Sequence, residues 1–173
     1  MAQRTVDVHN HWYPKEYLEY LCSRGSDVSP YMEHDGGSHY RGYYNGVACA
    51  HIDRPGHFDL DARIKDLDAA GLDTQVISVT IPGPDTLEPE NGIYWSKKCN
   101  DALKQAEEKY PGRFYWMATL PYQAPDEAVK ELERCVEMGC KGIQMFSNFA
   151  GEPVFLPKFD GVWELANKHK LPA

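Results

Sequence analysis

Val6-Asp7-Val8-His9-Asn10-His11 is the stretch on which the fold turns. Valines alternating with polar side chains predict a short strand. Side chains two apart on a strand point the same way, so Asp7, His9 and His11 are expected on one face. Two imidazoles at that spacing, at the C-terminal end of a strand, can converge on one divalent ion at roughly 2.0–2.1 Å. Asp7, one layer deeper, is then expected to orient a ligand from behind. The competing account is a pair of ordinary histidines near a strand end. The β/α series that follows favours a metal half-site.

Working outward, Pro14 to Leu21 reads as a helix with Tyr17, Leu18 and Leu21 on one side. Periodicity then fails from Ser23 to Gly56, a glycine- and tyrosine-rich excursion that also holds His34, His39 and His51. Its aromatic content predicts a packed flap, with room for a small hairpin. Leu60, Ile64 and Leu67 resume helical spacing, and Gly71 is placed to stop that helix. Thr74–Thr80 is expected as a buried strand, 93–110 as a helix, Phe114–Leu120 as a third strand and Asp126–Met138 as a helix stopped by Gly139. Gly142–Phe146 is expected as a fourth strand and Phe159–His169 as a last helix. Nearly continuous apolar strands alternating with helices predict a parallel sheet covered on both faces. The fold class is therefore α/β, about four (β/α) units on a parallel sheet that is either open or closed into a barrel. One domain over 1–173 carries an irregular insertion at about 23–57. No glycine-rich phosphate fingerprint follows the first strand, which argues against a dinucleotide site.

Composition bounds the rest. Of 173 residues, 42% are hydrophobic and 25% charged, as in a globular domain. The net charge of −8 argues against nucleic acid or an anionic membrane as partner. No apolar run is long enough to span a bilayer, and the opening residues show no apolar leader. Five cysteines without CxxC spacing are expected to be reduced thiols, and the protein cytoplasmic.

Over nearly its full length the chain resembles the first half of amidohydrolase-related proteins close to aminocarboxymuconate-semialdehyde decarboxylase. The resemblance rests on Val6 to His11, Arg63-Ile64-Lys65-Asp66-Leu67-Asp68 with Gly71-Leu72-Asp73, Ser78, Pro82 and Asn100-Asp101. It continues through Arg113-Phe114, Leu120-Pro121, Gly139-Cys140-Lys141-Gly142-Ile143-Gln144 and Leu171-Pro172. It implies a TIM-type (β/α) barrel, here in about its first four units, that holds a divalent metal, usually zinc, with His9 and His11 as two ligands. It also implies a small carboxylated substrate and a split between nonoxidative decarboxylases and hydrolases. A third ligand histidine, a catalytic histidine and a ligand aspartate follow later strands in such proteins, past residue 173. Four strands are too few to close a barrel that takes about 250 residues.

Arg54 matches a region where these proteins use an arginine and is the candidate partner of a substrate carboxylate. Trp12, next to His11, is either a wall of the pocket or a core tryptophan. His34, His39, His51 and His57 have no spacing that makes a ligand pair, and His169 reads as a helix-end surface residue. Cys135 and Cys140 read as packing, Asn100 and Asp101 as support for strand ends or chemistry, and Glu16 and Glu19 as a solvated helix face.

The leading expectation is a decarboxylase of a small carboxylated aromatic or muconate-type acid. The alternatives are a metal-dependent hydrolase of an ester, lactone or amide, and an inactive half-barrel that needs a partner or a second copy. A phosphoesterase ranks below these.

Overall fold

In the computed structural model, which describes residues 4–173, β1 (Val6–His11) pairs in parallel with β5 (Thr74–Ser78), and β5 with β6 (Phe114–Trp116). The series continues past β6. Lys141 N–H donates to Trp116 O, Ala118 N–H to Gly142 O and Gln144 N–H to Ala118 O, at 2.8, 2.9 and 2.8 Å. Ile143 N–H then donates to Pro172 O at 2.9 Å, so the end of the chain lies where a further parallel strand runs in a barrel. The expected fourth strand over 142–146 is thus reduced to one bridge, Ala118 to Ile143. After Gln144 the backbone leaves the sheet for the small hairpin of β7 (Asn148–Phe149) and β8 (Glu152–Pro153).

The helices are those of a (β/α) series: α1 (Lys15–Ser23), α2 (Leu60–Ala70), α3 (Pro89–Lys109), α4 (Pro125–Met138) and α5 (Asp160–His169). α2 and α4 stop where glycine can turn left-handed, at Gly71 (φ 67°) and Gly139 (φ 89°). α3 starts four residues before its expected position at 93, because Pro89 supplies the preset φ of a first helical turn. Asp59 caps α2 through its carboxylate, which accepts from the N–H groups of Asp61 and Ala62.

The core lies between sheet and helices. Ile77, Phe114, Trp116 and Ile143 from the sheet are fully buried with Leu67, Leu103, Leu132 and Val162 from the helices. Burying each such side chain stabilises the fold by about 1.5–3 kcal/mol. Val6 and Val8 on β1 are 47% and 71% exposed. Of the described helices, none is long and apolar enough to cross a membrane.

The excursion is more regular than its sequence. Rather than a lone hairpin it holds a three-stranded antiparallel sheet of β2 (Tyr31–His34), β3 (Tyr40–Tyr44) and β4 (Val47–Ile52). Its inner face carries Met32, Tyr40 and Ile52 with Gly42 between them. A Cβ at Gly42 would sit only 3.0–3.1 Å from Pro82, Ala50 and Met32, so a larger residue there would push these neighbours back by a few tenths of an ångström where the sheet seats on the loop after β5. Arg24 anchors its base, donating to the carbonyls of Ser29 and Pro30 and pairing with Glu88 at 2.7 Å.

Candidate functional site

The site is built at the C-terminal ends of β1 and β5, and a register shift decides which side chains reach it. Asp7 lies opposite Gln75, whereas Asn10 lies opposite Ile77 and His11 opposite Ser78, so β1 holds one extra residue between Asp7 and Asn10. Gln75 and Ile77 share a face, and so therefore do Asp7 and Asn10; His11 joins Ser78 on the other. This corrects the expectation that Asp7, His9 and His11 share one face. Nor does Asp7 orient an imidazole. Its carboxylate accepts from Asn10 Nδ2 at 2.6 Å, Gln75 Nε2 at 3.0 Å and the backbone N–H of His9 at 3.2 Å. Burial raises the Asp7 pKa, but these hydrogen bonds and the Arg63 charge outweigh it and hold the carboxyl below its usual value.

The two histidines do converge. The rings of His9 and His11 lie 5.2 Å apart, edge to face. His11 is half-buried, and its Nδ1 is 2.9 Å from Ser78 Oγ. Burial, followed by the charges of His9, Arg63 and His57, lowers its pKa and favours the neutral imidazole, the form that ligates metals. Among the described residues no group of three or more His, Cys, Asp or Glu is gathered around a common point. A catalytic metal site takes at least three protein ligands. This donor set fits a divalent ion as half of its coordination.

Behind the pair stands Arg63, 6% exposed, from α2. It donates to the carbonyls of His11 (3.0 Å) and Gly56 (2.7 Å) and to Gln75 Oε1 (2.8 Å). It thus ties the strand end that bears His11 to the 3₁₀ turn Pro55–His57. Burial pulls its pKa down to about 10, Asp7 and Asp66 opposing, so it stays charged at neutral pH.

Arg54, exposed, leads into that same turn and shares a cleft of about 520 Å³ with Asn10, His57, Asp66 and Gln75. Trp12 goes elsewhere. It is 6% exposed and lines a separate groove of about 610 Å³ with Phe58 and Trp95, between α1, α3 and the start of α2. Its backbone N–H donates to Ser78 O at 2.9 Å. His57 stands with Arg54, while His34, His39 and His51 border a different depression on the small sheet. His169 is exposed at the end of α5. Cys99, Cys135 and Cys140 are buried, all five cysteines are free thiols, and Asn100 braces the chain beyond β6.

Four contributors escaped the sequence reading of the site: Asn10, Arg63, Gln75 and Ser78. Asn10, Arg63 and Ser78 carried a signal, since all three stand in the motifs of the family resemblance. Gln75 carried none, because only the register brings it to Asp7.

Away from the pair, Asp85 in the 3₁₀ turn Pro84–Thr86 is a further titrating group. The residue keeps some surface, but its carboxyl is turned inward, 2.5 Å from where a Cβ on Gly83 would stand. Burial pushes its pKa up to about 7. A carboxyl with a raised folded pKa adds stability that is complete below the ordinary carboxylate range. That contribution is lost as pH climbs from about 4 to about 7, by up to about 1.4 kcal/mol per pH unit. Urea midpoints measured across that window should therefore fall with rising pH, and Asp85→Asn should flatten the trend. An unchanged slope in the variant would assign the titration to another group.

The sequence profile of the amidohydrolase family matches residues 6–173. The chain belongs to that family. Over 96% of its length it is 28% identical to the 2-amino-3-carboxymuconate-6-semialdehyde decarboxylase of Dictyostelium discoideum. Over 65% of its length it is 32% identical to the gamma-resorcylate decarboxylase of Rhizobium sp. strain MTP-10005. The match covers 51% of the first relative and 37% of the second, so the chain spans about half or less of the proteins it matches. Its fold superposes on a 5-carboxyvanillate decarboxylase from Novosphingobium aromaticivorans with a TM-score of 0.77 at 21% identity, over 99% of this chain and 50% of that one. That structure holds manganese and 3-methoxy-4-hydroxy-5-nitrobenzoic acid. The architecture is that of the amidohydrolase TIM barrel in its first units, as the family resemblance implies.

Proposed function

We propose that this chain supplies the metal-binding half-site of a nonoxidative decarboxylase acting on a small carboxylated aromatic or muconate-type acid. The observation that carries the reading is the pairing of His9 and His11 rings at 5.2 Å on the strand end that Arg63 ties to the Arg54 turn. His9 and His11 would hold a divalent ion, which when bound polarises a substrate oxygen and lowers the pKa of bound water. The cleft of Arg54 opens on the Asn10–Gln75 side of β1 with neither His9 nor His11 in its lining, so this exposed side chain would have to swing across the strand end to hold a substrate carboxylate at the metal. The surroundings of Trp12 support a packing role rather than contact with substrate. The curated relatives named above are both decarboxylases, which favours the lyase over the hydrolase. Zinc is the ion implied by the family resemblance, and manganese is the one in the carboxyvanillate decarboxylase structure.

The remaining ligands and the proton donor would come from outside the described residues, from more of the barrel or from a partner chain. The uncovered valines of β1 favour such a completing surface.

The test is metal content of the purified chain after removal of loosely held ion, with His9→Ala and His11→Ala alongside. Where a second chain completes the site, about one ion per chain, lost in both variants, followed by carbon dioxide release from small aromatic or muconate-type acids, is the expected result; a chain that stays single should hold the ion only weakly and release none. Metal retention that neither variant changes would sink the ligand assignment. Hydrolysis of esters or lactones without carbon dioxide release would hand the site to the hydrolase reading.

A further inference from the structure

We infer that Ser78 is a positioning residue that fixes His11 as the Nδ1–H tautomer, leaving the Nε2 lone pair unengaged. The use made of that lone pair rests on the reading of His11 as a metal ligand; the tautomer itself does not.

The argument is one of hydrogen counting. Ser78 Oγ lies 2.9 Å from His11 Nδ1 and 3.3 Å from the carbonyl oxygen of Asn10. A carbonyl oxygen carries no hydrogen, so both contacts are hydrogen bonds only if the hydroxyl gives its single proton to Asn10 O. Its oxygen then accepts from Nδ1, which carries the hydrogen; the opposite tautomer would take the hydroxyl proton at Nδ1 and leave the Asn10 contact unmade. A neutral imidazole holds one N–H, so Nε2 is the bare nitrogen. The chain of donors runs from His11 Nδ1 to Ser78 Oγ to Asn10 O. Among the described residues Nε2 of His11 makes no hydrogen bond.

The serine is well placed to impose this choice. It is 3% exposed, on the middle strand of the parallel sheet, and stands opposite His11 in register. Its carbonyl is held by the N–H of Trp12. The strand fixes where the hydroxyl oxygen stands, and the Asn10 carbonyl gives its proton a partner other than the ring. Free neutral histidine prefers the other tautomer, with hydrogen on Nε2, so the protein selects the minor form. That form presents Nε2 as donor to a cation with no reorganisation when the ion arrives.

The experiment reads the nitrogen shifts of His11 in the uniformly ¹⁵N-labelled chain at about pH 8, above the ordinary imidazole range. The His11→Gln variant assigns the signals. The wild type should show a protonated, pyrrole-type Nδ1 and a bare, pyridine-type Nε2. Ser78→Thr, which keeps the hydroxyl, should show the same pattern, and Ser78→Ala should shift toward the opposite tautomer. Amide fingerprints check that both variants fold. A pyrrole-type Nε2 in the wild type overturns the inference whether or not Ser78→Ala folds. So does a folded Ser78→Ala with the wild-type pattern.

A second arm titrates Mn(II) and follows the free ion by electron paramagnetic resonance. Loss of a partner behind a ligand typically weakens metal binding about 10–100-fold, and that is the expected effect of Ser78→Ala, with Ser78→Thr close to wild type. A tautomer as stated together with no Mn(II) uptake by the wild type would overturn the ligand reading and leave the Ser78 assignment standing.

Discussion

Replacing Arg63 with leucine should lower the unfolding free energy by about 3 kcal/mol, read as a fall in the urea midpoint at unchanged slope. The guanidinium donates three hydrogen bonds, to the carbonyls of His11 and Gly56 and to Gln75 Oε1. Net worth runs near 1.5–3 kcal/mol for a hydrogen bond to a charged group, and several sharing one side chain do not add fully. Leucine keeps apolar bulk but leaves those acceptors without their donor. Asp7 also loses the cation that helps hold its carboxyl charged. Arg63→Lys separates charge from geometry. Its ammonium is a point charge on a flexible stem and cannot match the planar fork, so it should recover less than half of the loss. If lysine restored full stability, the role of Arg63 would be charge alone. The variant should also loosen the strand end at His11 and the Arg54 turn together, seen as faster amide exchange at His57 and Phe58, whose N–H groups bond within that turn.

The order of elements was legible in the sequence because its signals are local. Gly71 and Gly139 stop helices where the apolar period ends, and Asp59 sits where a cap belongs. The sheet in the excursion was not legible, because its inner face has glycine at its centre. Met32, Tyr40 and Ile52 belong to different strands, and Gly42 between them breaks any alternation a reader could follow. The fourth strand was overread for the opposite reason. Gly142 to Phe146 has the composition of a strand, but the backbone leaves the sheet after the bond from Gln144 N–H to Ala118 O.

The candidate site divides in the same way. His9 and His11 were legible because a two-residue spacing on a strand is a local statement, and their rings do meet. The position of Asp7 was misjudged because the extra residue in β1 exists only relative to β5, and a bulge exchanges faces for everything beyond it. Ser78 and Arg63 lie 67 and 52 residues from the His11 atoms they bond. No periodicity within one segment reports a partner at that separation.

Asn100→Ala should be at least as damaging as the loss of Arg63, at about 3–4 kcal/mol. Beyond β6 the backbone of Thr119 takes its hydrogen bonds from this side chain. Thr119 N–H donates to Asn100 Oδ1, and Asn100 Nδ2 donates to Thr119 O, both at 2.9 Å. The same amide donates to Glu131 Oε1 at 2.8 Å, and Glu131, 2% exposed, is held in turn by Arg134 at 2.7 Å. Alanine would strand a buried backbone donor and acceptor and remove one partner of a buried carboxylate, where each unmet group costs about 1–3 kcal/mol. Asn100→Asp is nearly the same shape, and yet it should be worse than alanine at neutral pH. It turns a donor into a second carboxylate facing Glu131, and two like charges in a buried site oppose each other's ionisation. The new carboxyl would have a raised folded pKa, so this variant should regain stability as the pH falls, whereas Asn100→Ala should not. Urea unfolding of the two variants at neutral and mildly acid pH decides it. Equal losses at both pH values would mean that the amide matters to Thr119 alone and that Glu131 is satisfied by Arg134.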